Sequence, residues 1–440
     1  MQETATRADL ILHPRWVIPV EPEGQILEGT AVAVRDGRIE ALLPDAQARD
    51  TECDTRLELP GHVLLPGLVN AHGHAAMSLL RGYADDLPLM PWLQEHIWPA
   101  ESRHVSADFV RDGTRLAIAG MLRSGTTTCS DMYFFPEAAA AAYRSAGMRA
   151  QVAFPIFDFP SAWGSGPDDY LARGLALIDE YRNVELQRVV FGPHAPYTVS
   201  EPTLARIATL AAELDAAVHI HLHETAAEVL QAVEQTGERP LDTLDRLGLL
   251  GPRTQCVHMT DTGAQDIERL RETGSHVVHC PSSNMKLASG TCPVPRLLAA
   301  GVNTALGTDS AASNNSLNLF LEMRTAALLA KLDSRDAAQL GAAATLTMAT
   351  LGGARALGLE EQIGSLVPGK AADMIAVDLS GSATQPVHSP LSQLVYACNG
   401  SEVSHAWVAG RLLLDEHRLT TLDEAAVVQR AAEWQRRMTA

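Results

Sequence analysis

His72 and His74, in LVNAHGH, stand two residues apart at the end of an apolar run. In an extended strand that spacing puts both imidazoles on one face, where they can grip the same ion, and Gly73 between them leaves room for it. Polar residues of similar competence close four more apolar runs: His194 in RVVFGPHA, His221 and Glu224 in AVHIHLHE, His258 in TQCVHM and Asp309 in VNTALGTD. Core histidines have no reason to gather at one end of five different strands, so the group reads as a metal site with a carboxylic acid beside it. The fifth run leaves a choice open, because His219, His221 and His223 alternate onto one face. Position along the strand favours His221 or His223 as ligand and leaves His219 as a hydrogen-bonded support. Three imidazoles, one carboxylate and a water suit zinc, which lowers the water's pKa from about 15.7 toward about 7, so the chemistry expected is hydrolysis. HETAA around Glu224 is not HExxH, and no H-x-E with PCxxC is present.

Such a group needs a scaffold that brings many strand ends to one rim. Between residues 62 and 309, eight short apolar runs (62–74, 125–132, 149–157, 188–195, 217–224, 254–259, 275–281 and 302–309) alternate with helical patterns such as Asp108–Arg123, Asp168–Tyr181 and Glu201–Ala212. That rhythm predicts an α/β fold, a TIM (β/α)8 barrel with its site at the C-terminal ends of the strands. The two ends of the chain are richer in short alternating strands, as in AVAVRDGRIEALL and HAWVAGRLLL. The expected division is therefore a barrel over 62–363 and a small β-sandwich domain built from 1–61 plus 364–440, with a C-terminal helix.

Composition narrows the functions available. The chain has 440 residues, 46% of them apolar, and a formal net charge of −19, which argues against nucleic acid as a partner. Only Lys286, Lys331 and Lys370 are lysines, so Schiff-base chemistry has little to draw on. No run approaches the roughly 18 apolar residues of a membrane span, and the first residues form no signal-peptide pattern, so no membrane partner and a cytoplasmic location are expected. Six scattered cysteines without CxxC spacing read as reduced thiols.

The segments LPGLVNAHGHAAMSLLRGYADDLPLMPWL, GPHAPYTVS, HIHLHET, HCPSSNMKLASG, GTDSAASNNSLNLFLEMR and GSLVPGKAADM span nearly the whole chain. Together they resemble the amidohydrolase superfamily in its aminohydrolase branch, and within it the 5′-methylthioadenosine/S-adenosylhomocysteine deaminases. The resemblance implies that His72, His74, His221 and Asp309 hold one divalent ion, zinc with iron as the alternative, the step from His221 to Glu224 selecting His221 over His223. Binuclear relatives carry a carboxylated lysine at the end of the fourth strand, where this chain has GPHAPY, so a single metal is implied. His258 would help hold the attacking water. Glu224 would deliver a proton to the ring nitrogen beside the amino-bearing carbon, and Asp309 would pass the water's proton to the departing amine, released as ammonia.

By the same resemblance Glu101, in WPAESR, takes the ribose hydroxyls and His194 the nucleoside; from the residues alone Glu101 reads as a surface acid. Trp92, with Leu89 and Met90, is expected to form an apolar wall. Members that accept S-adenosylhomocysteine place an arginine on the third strand, where MRAQVAFPIF offers Phe154. Phe154 is therefore expected to pack against a methylthio group, making 5′-methylthioadenosine the preferred substrate, with S-adenosylhomocysteine or adenosine as others. The alternatives are a deaminase of another amino-substituted ring (guanine, 8-oxoguanine, an s-triazine) and, remotely, a non-catalytic barrel protein, which would have lost ligand positions that are all present here. Barrels of this type associate, so a homo-oligomer is expected, with the Phe-rich FPIFDFP as a candidate contact.

Overall fold

A computed structural model describes residues 7–439. Eight parallel strands follow one another in chain order around a barrel: β1 (Leu68–Gly73), β2 (Thr126–Met132), β3 (Arg149–Ile156), β4 (Gln187–Pro193), β5 (Val218–Leu222), β6 (Thr254–His258), β7 (His276–His279) and β8 (Thr304–Leu306). Nearly every strand residue is buried, as parallel strands covered on both faces must be. The circle closes where Gly73 bridges Asp309 and the amides of Thr308 and Asp309 both donate to His72 O at 3.1 Å. The closure itself thus fixes one end of the expected ligand set against the other. Gly307 lets β8 come this near, because a Cβ there would stand 2.9 Å from His72 Cβ. Gly73 is different: a Cβ on it would meet only ordinary contacts at 3.5 Å, so room for an ion is not what requires glycine there.

The connecting helices start on sequence signals. Ser106 caps Ala107–Arg123 by accepting from Phe109 N, and Thr225 caps Ala226–Thr236 by accepting from Glu228 N. Between β1 and β2 the chain makes a long excursion whose helical stretch Leu89–His104 overhangs the C-terminal rim. No helix among the described residues is long and apolar enough to cross a membrane.

The terminal segments form one continuous nine-stranded mixed sheet. Its long strand Cys53–Pro66 pairs parallel with Ala8–Val17 and antiparallel with Met374–Asp378. The sheet curls until Val32, Val34 and Ile39 from one flank share a core with Met374 and Trp407 from the other, so the expected sandwich is a single sheet wrapped over its own core. HVLLP, expected as the opening of the first barrel strand, belongs to this sheet, and the barrel begins after Gly67. The C-terminal helix Glu424–Thr439, expected to go with the small domain, packs on the barrel helix Ala107–Arg123. There Arg430 and Trp434 Nε1 both donate to Asp112, at 2.8 and 3.0 Å. Arg149, at the foot of β3, ties the units together through a buried bidentate pair with Asp373.

Candidate active site

Strand alternation turns His72 inward and backbone geometry turns the others toward it. His258 (φ 79°) and Asp309 (φ 59°) take left-handed conformations that β-carbon-bearing residues seldom adopt, at the points where β6 and β8 give way to loops. The side chains converge in two overlapping groups, His72–His74–Asp309 and His72–His221–His258; within each, one potential ligand atom per residue lies within 4.8 Å of the others. His72 and His74 Nε2 stand 3.3 and 3.2 Å from Asp309 Oδ1, and His74 and His221 Nε2 are 3.3 Å apart.

The hydrogen bonds behind these atoms decide their chemistry. His74 Nδ1 donates to Met132 O at 2.5 Å and His221 Nδ1 to His194 O at 2.7 Å. A carbonyl can only accept, so each Nδ1 carries the hydrogen, and the neutral imidazole that a metal ligand must be then presents its lone pair at Nε2. His258 Nδ1 meets Asn284 Oδ1 at 2.8 Å with the same result. His72 Nε2 is buried without a hydrogen-bond partner. Asp309 Oδ2 accepts from Ser283 (2.5 Å) and Ser313 (2.8 Å), leaving Oδ1 to the histidines. Lone pairs gathered around one carboxylate oxygen, with an orphaned imidazole nitrogen among them, form a donor set that fits a divalent cation of zinc's type.

His223, the open alternative, has both nitrogens engaged, by Asp261 O and by Leu241 N, and its φ of 51° carries it out of the strand. His221 is the member of the trio that reaches the cluster. His219 lies beneath, its Nε2 2.6 Å from His72 Nδ1. None of the three lysines joins the site: Lys286 pairs with Asp85, Lys331 with the carbonyls of Gln339 and Leu340, and Lys370 with Glu21 and Ser365.

The cluster floors a cavity of about 560 Å³. Glu224 is buried in its wall, with Oε1 3.9 Å from His258 Nε2; burial raises its carboxyl above the usual range, against the pull of His258. Glu101, from the overhanging helical stretch, also lines the cavity and accepts from Tyr133 OH at 2.7 Å. Burial pushes it up to about 7, with Tyr133 opposing. The surface-acid reading of Glu101 therefore fails. His194 lines the wall with Nδ1 on Thr198 Oγ1 at 2.9 Å and its ring centroid 4.9 Å from that of Phe157. Trp92 lines it too, its indole N–H on Ala84 O. Leu89 joins that wall, but Met90 is 40% exposed and does not.

Phe154 is not where the sequence reading put it. Its ring is fully buried behind β3, against Phe191 and Trp163, and lies so close over Gly174 that a Cβ there would be 2.2 Å away. It cannot touch a ligand in the cavity. Phe157 and Phe159, three and five residues on, line the cavity instead. Sequence reading also missed Tyr133, Asn284, Ser283 and Ser313. The last three lie in HCPSSNMKLASG and GTDSAASNNSLNLFLEMR, and small polar residues just beyond a candidate ligand strand were the available signal.

The amidohydrolase family model matches residues 63–413. A 5-methylthioadenosine/S-adenosylhomocysteine deaminase of Teredinibacter turnerae is 52% identical over 436 residues, 99% of each chain. One of the same name from Saccharophagus degradans is 53% identical over 432 residues, 98% of this chain and 97% of that one. Among solved structures, an adenosine deaminase from Xanthomonas campestris with bound zinc has a TM-score of 0.97 at 50% identity, covering 98% of this chain and 99% of that one. With the match spanning barrel and terminal sheet alike, and the His/Asp cluster at the rim where such barrels do their chemistry, the chain belongs to the amidohydrolase family.

Proposed function

We propose that the protein hydrolytically deaminates adenine nucleosides, 5′-methylthioadenosine above all, with one zinc ion per chain held by His72, His74, His221 and Asp309. The observation that carries this reading is the placing of two acids in one cavity: Glu224, buried beside the ligand cluster, and the half-buried Glu101 on the opposite element with its carboxyl inside. When bound, the zinc supplies a Lewis acid that makes water nucleophilic at neutral pH. Glu224, whose carboxyl burial raises above its usual range, donates a proton to the ring nitrogen next to the amino-bearing carbon, so that aromaticity can be given up as water attacks. Asp309, its Oδ2 anchored by two serines, takes the water's proton and returns it to the leaving amine. His258, fixed by Asn284, orients the attacking water. Glu101 accepts from ribose hydroxyls while Tyr133 holds it in place, and His194 faces the nucleoside. The six cysteines are all free, which supports a reducing, cytoplasmic setting.

The preference among nucleosides rests on the far wall rather than on Phe154. Phe157, Phe159, Pro160 and Trp98 line it, and no lysine or arginine is among the cavity-lining residues. Arg173, on the helix Pro167–Tyr181 that follows β3, pairs with Asp169. A homocysteine carboxylate there would forgo a charge-assisted bond of roughly 1.5–3 kcal/mol, about ten- to a hundredfold in kcat/KM. A methylthio group loses nothing and packs on the rings. Ammonia release from methylthioadenosine, S-adenosylhomocysteine, adenosine, guanine and a triazine tests the reading. Adenine nucleosides should lead, with methylthioadenosine first, and Phe159→Arg should raise S-adenosylhomocysteine relative to it. Better turnover of guanine or the triazine overturns the nucleoside reading, and equal efficiency of the two thio-nucleosides overturns the preference.

A further inference from the structure

Beneath the ligand cluster the barrel interior is crossed by a chain of polar side chains, one from each of six strands, of which the chemistry above uses only His72. His72 (β1) Nδ1 lies 2.6 Å from His219 (β5) Nε2, and His219 Nδ1 lies 2.7 Å from Gln255 (β6) Oε1. Gln151 (β3) Nε2 donates to Gln255 Oε1 at 2.8 Å and to Ser130 (β2) Oγ at 2.9 Å. Arg188 (β4) ends the chain, its Nε and Nη2 donating to Gln151 Oε1 at 3.1 and 2.7 Å. The histidines, glutamines and Ser130 are all fully buried, so each bond must be matched in sense as well as distance.

We propose that Arg188, Gln151 and Gln255 are positioning residues that set the tautomer of the metal ligand His72 through this directed chain. The direction is forced from the arginine end, because a guanidinium has donors only. Burial draws Arg188 down to about 10, against the pull of Glu360, which still leaves it charged at neutral pH. The Gln151 atom facing Arg188 is therefore oxygen, whichever way the amide would otherwise turn, and its NH2 faces Gln255. Gln255 must answer with oxygen; the longer reciprocal contact, Gln255 Nε2 to Gln151 Oε1 at 3.5 Å, has the same sense. His219 then donates from Nδ1 and accepts at Nε2. His72 must donate from Nδ1, which leaves its Nε2, the nitrogen without a hydrogen-bond partner, as a lone pair aimed at the cluster. Ser130, 3.1 Å from His219 Nδ1, can donate or accept and imposes no sense of its own.

Two substitutions of identical chemistry separate this role from mere packing. Gln151→Glu keeps the contact with Arg188, now as an ion pair, but has no donor for Gln255. Gln255 then turns its NH2 outward, His219 becomes Nε2–H, and His72 is driven to carry its hydrogen on Nε2, against the metal. Gln255→Glu keeps an acceptor toward both Gln151 and His219 and preserves the direction. The inference rests on His72 being a ligand, so zinc affinity is measured by chelator competition on wild type and both variants. The imidazole nitrogens of the zinc-free proteins are also read by 15N NMR. Gln151→Glu is expected to weaken zinc about 10–100-fold and to convert His72 Nε2 from unprotonated to protonated, while Gln255→Glu stays within about threefold with the wild-type tautomer. Equal losses in the two variants, or an unchanged His72 tautomer in Gln151→Glu, overturn the proposal. No zinc binding by wild type would instead overturn the metal reading, and the tautomer measurement still decides this one. Should Gln151→Glu not fold, Arg188→Met takes its place: Gln151 is then free to turn, and His72 should show both tautomers, a single wild-type tautomer being the overturning result.

Discussion

Replacing Glu224 with Gln tests the proton-delivery step with the least disturbance, since the amide keeps the volume and hydrogen-bonding capacity of a side chain only 5% exposed. Its expected cost follows from what else in the cavity could act as acid. Burial, with His74 and His72 adding to it, pushes His194 down to about 3, so that ring is neutral and has no proton to give from an imidazolium. Glu101 is committed to Tyr133, and burial raises the phenols of Tyr133 and Tyr197 well above their ordinary range. No second acid stands ready, so the loss in kcat should fill the range for a missing general acid, about 10²–10⁴-fold, or roughly 3–5 kcal/mol of barrel-site transition-state stabilisation. Glu224 belongs to neither ligand group, so zinc content should be unchanged, and KM should move by less than about threefold because the side chain keeps its shape. Steady-state ammonia release with methylthioadenosine, alongside elemental analysis of the purified variant, reads all three quantities. A kcat loss below tenfold with zinc retained would refute the assignment and leave Glu224 as an acid just ahead of the Ala226–Thr236 helix.

Two further outcomes follow from the same geometry. Asp309→Ala removes the oxygen that His72 and His74 share, so activity should fall to background and zinc per chain should drop from one toward zero on dialysis; wild-type protein carrying two ions at full occupancy would refute the single-metal assignment. Glu101 supplies the pH test: with its pKa raised to about 7, it gains a proton and loses its charge as pH falls through 7, so KM for a nucleoside should rise about tenfold from pH 8 to pH 6. Tyr133→Phe removes the bond that opposes the rise and should move the midpoint higher, whereas a KM flat across this window would remove Glu101 from ribose binding.

Much of this site was legible because barrel geometry turns a one-dimensional pattern into a rim. His72, His74, His221, His258 and Asp309 each close an apolar run, and the structure brings those ends together with the strand order unchanged. Two things resisted. Alternation could not separate His221 from His223, because both have the same parity; the backbone decides, turning to φ 51° at His223 after the last strand residue. Glu101 could not be seen from the residues either, since its burial depends on an excursion folding over the mouth and on Tyr133, 32 residues later, closing the bond.

Phe154 is the instructive error, because β3 carried its own correction. Beyond Arg149 at its foot, Gln151 is the one polar residue of β3, and in a parallel strand sheathed by helices the place that can satisfy an amide is the barrel interior, among other polar side chains. That fixes the parity: residues 151, 153 and 155 face inward, and Phe154 faces the helix layer, where its ring lies over Gly174. Pro155 lines the cavity, as that parity requires. A polar residue buried within an apolar strand thus says which way the strand faces. Here the same glutamine belongs to the chain of hydrogen bonds that runs from Arg188 through Gln255 and His219 to His72.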